Sequence, residues 1–149
     1  MIKCRFVSRE DFHAVQRIEN ECFKEPYSTE QLMYEFFDNP VNKIIVAVYE
    51  GRVVGFIDYL ITFNSATIVQ IAVTKEFRGK GIGTRLMAEM ENSFPKNIDD
   101  IVESITLEVR ITNENAINFY VKNGYHAVVI KSKYYKDGEN ALYMVKRLL

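Results

Sequence analysis

Two stretches of the chain hold residue types whose spacing can do chemistry. The first is Arg78-Gly79-Lys80-Gly81-Ile82-Gly83-Thr84. It lies between a strand-like and a helix-like segment, where consecutive main-chain N–H groups and a helix dipole converge on one spot that suits an anion. Gly79, Gly81 and Gly83 let the backbone approach phosphate oxygens closely and take up positive φ, while Arg78 and Lys80 add charge. Neither common phosphate loop fits: there is no Gly-Lys-Ser/Thr at Walker A spacing, and Thr84 and Leu86 hold the third-glycine positions of the dinucleotide fingerprint. A turn whose glycines merely redirect the chain is the plain alternative.

The second stretch is Leu107-Glu108-Val109-Arg110, continued by Asn113, Ala116, Tyr120 and Gly124-Tyr125. A carboxylate near a strand end and a phenol two turns into the following helix are types that accept and donate protons. Taken singly, each has a commoner role, a surface Glu in an ion pair and a Tyr in packing. His13 and His126 have no partner at a diagnostic spacing, and Cys4 and Cys22 form no CxxC pair, so two reduced thiols and no metal site are expected.

The elements that must position these residues follow from the apolar pattern. Residues 2–7 alternate as a half-buried strand, and Ser8-x-x-Asp11 resembles a capping box, with Val7 and Phe12 placed to staple a helix over residues 9–22. Pro26 breaks the pattern, Ser28-x-x-Gln31 offers a second cap, and Leu32, Phe36 and Phe37 give a short helix ending before Asn39-Pro40. Residues 43–49 and 52–61 are strands joined by a tight Glu50-Gly51 hairpin, and residues 66–73 are a further strand after the turn at Asn64-Ser65. The glycine stretch then opens a helix carrying Leu86, Met87 and Met90, which Phe94-Pro95 ends. Residues 104–110 form a strand, Thr112-Asn113 caps a helix that closes at Asn123-Gly124, and residues 125–131 and 141–146 are the last strands. The expected fold is α/β, a mixed and mostly antiparallel sheet of about seven strands with four helices on both faces.

The length of 149 residues suits one domain. With 19 basic and 20 acidic side chains, no global field draws the protein to nucleic acid or an anionic membrane. The N-terminal residues lack the apolar core of a signal peptide, and the longest apolar run, residues 53–61, is interrupted by Gly55 and Asp58, so a cytoplasmic protein is expected.

Arg78-x-x-Gly81-x-Gly83 following Ile71-Ala72-Val73 resembles the pyrophosphate loop of the GCN5-related N-acetyltransferase (GNAT) family, and the element order is similar from end to end. The run from Leu107 to Tyr125, with Glu21-Cys22-Phe23-x-x-Pro26-Tyr27-Ser28, Tyr134-Tyr135 and Asp137-Gly138-Glu139-Asn140-Ala141, resembles the ribosomal-protein-alanine (RimI-type) branch. Tyr27 stands where that branch commonly has Trp, and Asn140 where it commonly has Asp.

The resemblance implies acetyl-CoA as co-substrate, with the amides of residues 78–84 on its pyrophosphate, the backbone of Ile71, Ala72 and Val73 pairing with pantetheine, and Asn113 and Tyr120 touching it. It implies Glu108 as general base, directly or through one water, since an N-terminal amine with a pKa of about 7.7–8.0 is mostly protonated near pH 7. It implies Tyr120 as the acid that protonates the leaving sulfur, a backbone N–H near Val73 as oxyanion donor, and Tyr27, Tyr134 and Tyr135 about the acceptor. The acceptor it points to is a protein N-terminus, first the N-terminal Ala of a small-subunit ribosomal protein, used by a monomer. A small amine such as a polyamine or aminoglycoside, or a sensor that binds coenzyme A without turnover, are the alternatives.

Overall fold

Alternation and caps set the first elements of the computed structural model, which describes residues 1–149. Ile2–Phe6 (β1) pairs antiparallel with Asn42–Tyr49 (β2), and β2 pairs antiparallel with Arg52–Thr62 (β3). Between them Glu50 and Gly51 take φ of 48° and 79°, the paired left-handed residues whose twist suits a two-residue hairpin. Ser8 and Asp11 form the expected capping box, and one 3-10 turn leads into Phe12–Cys22 (α1). Thr29–Met33 (α2) begins on the second box, with the Gln31 N–H donating to Ser28 Oγ at 3.1 Å and the Ser28 N–H to Gln31 Oε1 at 3.0 Å.

Past α2 the chain departs from a regular amphipathic helix, because Tyr34–Asp38 is a π-turn. The extra residue in that turn lets the consecutive Phe36 and Phe37 both pack on Phe12, with ring centroids 5.2 and 5.5 Å away.

The chain divides into two compact units, residues 1–60 with 70–94, and residues 61–69 with 95–149. In the first, Ile44 to Ala47 and Val53 to Tyr59 are buried without alternation, as strands covered on both faces are. One face of this sheet packs Ile44, Val46 and Phe56 against Phe12, Val15, Ile18 and Leu32 of α1 and α2. The other faces Ile82–Asn92 (α3): a Cβ placed on Gly55 lies 3.4 Å from Leu86 Cδ1, and just past the helix Ser93 Oγ sits 2.6 Å from Tyr59 Oη.

In the second unit Ser65–Val73 (β4) starts beside Ser104–Arg110 (β5), and the parallel ladder joins Ser65–Thr67 to Ser104–Thr106. β5 pairs antiparallel with Ala141–Arg147 (β7), and β7 with His126–Lys131 (β6). Asn113 caps Glu114–Lys122 (α4), its Oδ1 accepting from the Ala116 N–H at 3.2 Å, and Gly124 at φ 96° follows the end of the helix. Ala66, Ile68, Val102, Ile105, Leu107, Val109, Tyr120, Tyr125, Ala141 and Met144 are the buried side chains here, while residues 95–101 are exposed around a single 3-10 turn. The strand order is β1-β2-β3-β4-β5-β7-β6, a mixed α/β fold with seven strands and four α-helices.

Candidate active site

The glycine stretch keeps the helix start bare. Gly79 and Gly81 take φ of 76° and 80°, and a Cβ on either would meet nothing within 4 Å, so backbone conformation rather than space demands glycine there. Gly83 differs from the expectation: it lies in the first turn of α3 and has no positive φ. The Arg85 N–H donates to the Gly81 carbonyl at 3.0 Å as the first rung of α3, so the amides of residues 81–84 ahead of it have no partner within the helix, and no side chain caps them. Buried Ile82 anchors this end. An 11-residue helix opening on bare amides, reached through two glycines with open space around them, fits a diphosphate.

Arg78 is not an idle charge beside this start. Its Nε donates to the Val73 carbonyl at 2.9 Å and its guanidinium reaches Cys22 Sγ at 3.2 Å, which ties the end of β4 to the end of α1. Glu21 adds a second tie, accepting from Thr74 Oγ1 at 2.9 Å and from the Lys75 N–H at 2.7 Å. Those donors, the Lys75 amide foremost, hold the Glu21 carboxyl below the usual range. Ile71, Ala72 and Val73 of β4, the glycine stretch and the C-terminal end of α1 therefore belong to one bonded assembly; Lys80 is exposed.

Sequence reasoning gave no role to two buried acids of this unit, Glu19 and Asp58. Glu19 is fully buried and accepts from the Tyr27 N–H at 2.8 Å and from Gln70 Nε2 at 2.9 Å, so it positions Tyr27; desolvation pushes its carboxyl up. Asp58, 1% exposed, is pushed up to about 8 by burial, with Glu35 adding to the rise. The signal for Asp58 was its place inside an apolar run.

In the second unit Glu108 sits on β5 directly across from Tyr143 on β7. Lys131 Nζ donates to Glu108 Oε2 at 2.6 Å and lies 4.5 Å from the Tyr143 ring centroid and 5.6 Å from that of Tyr134. Two residues along β5, Arg110 pairs with Asp137 at 2.9 Å and Glu139 at 2.7 Å and stacks on Tyr135 at 4.1 Å. Tyr134 and Tyr135 meet edge to face at 5.0 Å, and desolvation pushes the Tyr135 phenol up to about 12.

Glu108, Tyr134 and Tyr135 are thus brought together. Tyr120 is buried, packs on Tyr125 at 5.9 Å, and has its phenol pushed far up by desolvation, with Tyr135 adding to the rise. No hydrogen bond joins it to Glu108, and the Asn113 side chain is engaged in its helix cap. Lys131 and Tyr143 were missed, because only the cross-strand register reveals them, and Arg110 was named without its partners. No group of three or more His, Cys, Asp or Glu is set to hold a metal, and no helix is long and apolar enough to cross a membrane.

The acetyltransferase (GNAT) family profile matches residues 12–125. The chain is 42% identical to an uncharacterized N-acetyltransferase of Methanocaldococcus jannaschii over 96% of its own length and 90% of that protein's. It is 31% identical, over 91% and 88%, to a Bacillus subtilis protein provisionally assigned as a [ribosomal protein bS18]-alanine N-acetyltransferase. The crystal structure of the ribosomal-protein-S18-alanine N-acetyltransferase from Escherichia coli superposes with a TM-score of 0.83 at 22% identity, covering 99% of this chain and 94% of that one. The bare helix start, the strand order and these likenesses agree: the chain belongs to the acetyltransferase (GNAT) family and is an acyltransferase.

Proposed function

We propose that residues 1–149 act as one N-acetyltransferase domain that moves acetyl from acetyl-CoA to the α-amine of a protein N-terminus in the cytoplasm. The N-terminal Ala of a small-subunit ribosomal protein is the leading acceptor, in keeping with the names of the B. subtilis and E. coli relatives. The observation that carries the reading is the start of α3, whose unpaired amides behind Gly79 and Gly81 offer a diphosphate its donors.

When bound, acetyl-CoA supplies an activated thioester whose C–S bond breaks as the C–N bond to the amine forms. Glu108 takes the proton the amine must lose, acting directly or through one water. Tyr120 supplies a proton to the departing sulfur, and its burial keeps the phenol protonated throughout the working range. A main-chain N–H near Val73 stabilises the oxyanion, and Tyr27, Tyr134 and Tyr135 contact the acceptor.

The test is release of free thiol from acetyl-CoA with an Ala-initiated peptide, its Nα-blocked copy and a panel of polyamines. Turnover confined to the free peptide is expected. Equal activity on the blocked copy, preference for a polyamine, or tight coenzyme A binding with no turnover on any amine each overturns the reading. Glu108→Gln and Tyr120→Phe test the assigned roles, and either retaining wild-type kcat from pH 6 to 9 removes that residue from the mechanism.

A further inference from the structure

Glu108 shares its place on the sheet with a cation. On β5 it lies opposite Tyr143 of β7, which in turn lies opposite Val129 of β6, and Lys131 is two residues further along β6 on the same face. From there the lysine stem crosses the Tyr143 ring, and its ammonium meets Glu108 Oε2 at 2.6 Å, with the Tyr134 ring also beside it. The carboxylate is the more sheltered partner, its side chain 19% exposed against 40% for the lysine.

We propose that Lys131 is a positioning residue for Glu108: it holds Oε2 and fixes the rotamer, so that the carboxylate is aimed to take the proton from an acceptor amine. This rests on the reading of Glu108 as the base. A carboxylate beside three tyrosines needs such a partner. Tyr134, Tyr135 and Tyr143 bring ring surface and no cation; desolvation raises the phenols of Tyr134 and Tyr135, and the Glu108 charge and a hydrogen bond to Glu108 add to the rise at Tyr134. The other cation on this face of β5, Arg110, pairs with Asp137 and Glu139 and stacks on Tyr135. The Lys131 ammonium is accordingly the one cation bonded to Glu108, and the ion pair in turn raises the lysine's own pKa.

The charge separates this role from packing. In Lys131→Met the stem still covers Tyr143 but no cation faces Glu108; in Lys131→Arg the cation stays. Values of kcat and of KM for acetyl-CoA and one peptide acceptor are measured for the wild type and both variants, with Tm read in parallel. A freed carboxylate rotamer costs the chemical step and not cofactor binding, so the expected result is a kcat lowered roughly tenfold in Lys131→Met, with the KM for acetyl-CoA and Tm unchanged, and recovery of kcat in Lys131→Arg.

Wild-type kcat in Lys131→Met overturns the proposal and leaves Glu108 as the base if Glu108→Gln is inactive. A loss of kcat that comes with a matching fall in Tm, or that Lys131→Arg does not recover, also overturns it, because the lysine then serves packing alone. Wild-type turnover in Glu108→Gln removes the base reading itself, a result that neither Lys131 variant produces.

Discussion

Asp58 gives the protein a pH dependence of stability opposite in sign to the usual carboxylate effect. Its carboxyl is 1% exposed, one oxygen has no hydrogen-bond partner, and burial followed by the nearby Glu35 charge pushes it from 3.8 up to about 8, against a hydrogen bond from Asn42 that pulls it down. Glu19 is the other acid felt at this position. Between pH 4 and 8 the folded chain keeps a proton that the unfolded chain has released, so stability is greatest at the acid end and falls as pH rises. The slope is about 1.4 kcal/mol per pH unit, and roughly four units accumulate about 5 kcal/mol, a large share of the 5–15 kcal/mol typical of a whole domain. Asp58→Asn removes this titration while keeping the shape and a polar group for Asn42. Thermal unfolding of both proteins from pH 5 to 8 is the assay. The wild type is expected to lose on the order of 10 °C more than the variant over that range. Parallel curves for the two proteins would show that Asp58 is solvated or paired, and the reasoning from its burial would be wrong.

Gly55→Ala places a Cβ 2.9 Å from the Ala72 carbonyl oxygen and 3.3 Å from Val73 Cγ2; because the nearest atom is backbone, β3 and β4 must separate, costing about 1–3 kcal/mol by denaturant unfolding and raising the KM for acetyl-CoA. Gly81→Ala meets no atom but forces φ 80° on a side-chain-bearing residue, so about 1 kcal/mol of stability is lost and acetyl-CoA affinity, read by calorimetry, falls with it. Ser28→Ala removes the acceptor for the Gln31 N–H and costs about 1 kcal/mol in Tm-derived stability, with kcat unchanged if α2 serves only as packing.

The parts of the fold that local chemistry specifies were legible. Both capping boxes, the Glu50-Gly51 hairpin, β5 at residues 104–110 and the Asn113 cap are contained in a few neighbouring residues, and each lies where the sequence places it. What spacing along the chain could not show depends on partners distant in sequence. Arg78 reads as charge for an anion, yet its bonds go to Val73 and to Cys22, 56 residues away. Lys131 reads as the polar end of a strand until the β5-β7-β6 register sets it beside Glu108. Gly83 reads as a third turn glycine, but the helix has already begun at Ile82. The π-turn at Tyr34–Asp38 follows from the demand of two adjacent phenylalanines on one buried ring, which no helical period expresses.

The acceptor amine and Asp58 ionise over the same pH range. An N-terminal amine becomes a free nucleophile only as pH passes about 7.7–8.0. Over the same range Asp58 approaches its ionisation near 8, and the folded state loses stability with every unit. A chain that waited for the amine to deprotonate in solution would therefore work where its own fold is weakest. Where Glu108 takes the proton inside the bound complex, as proposed, attack does not wait for that deprotonation in solution, and turnover extends to lower pH, where Asp58 is still protonated. Asp58→Asn is accordingly expected to extend the half-life of activity above pH 8 without moving the acidic limb of kcat. A shift of that limb in Asp58→Asn would mean that Asp58 acts on the reacting groups and not on stability alone.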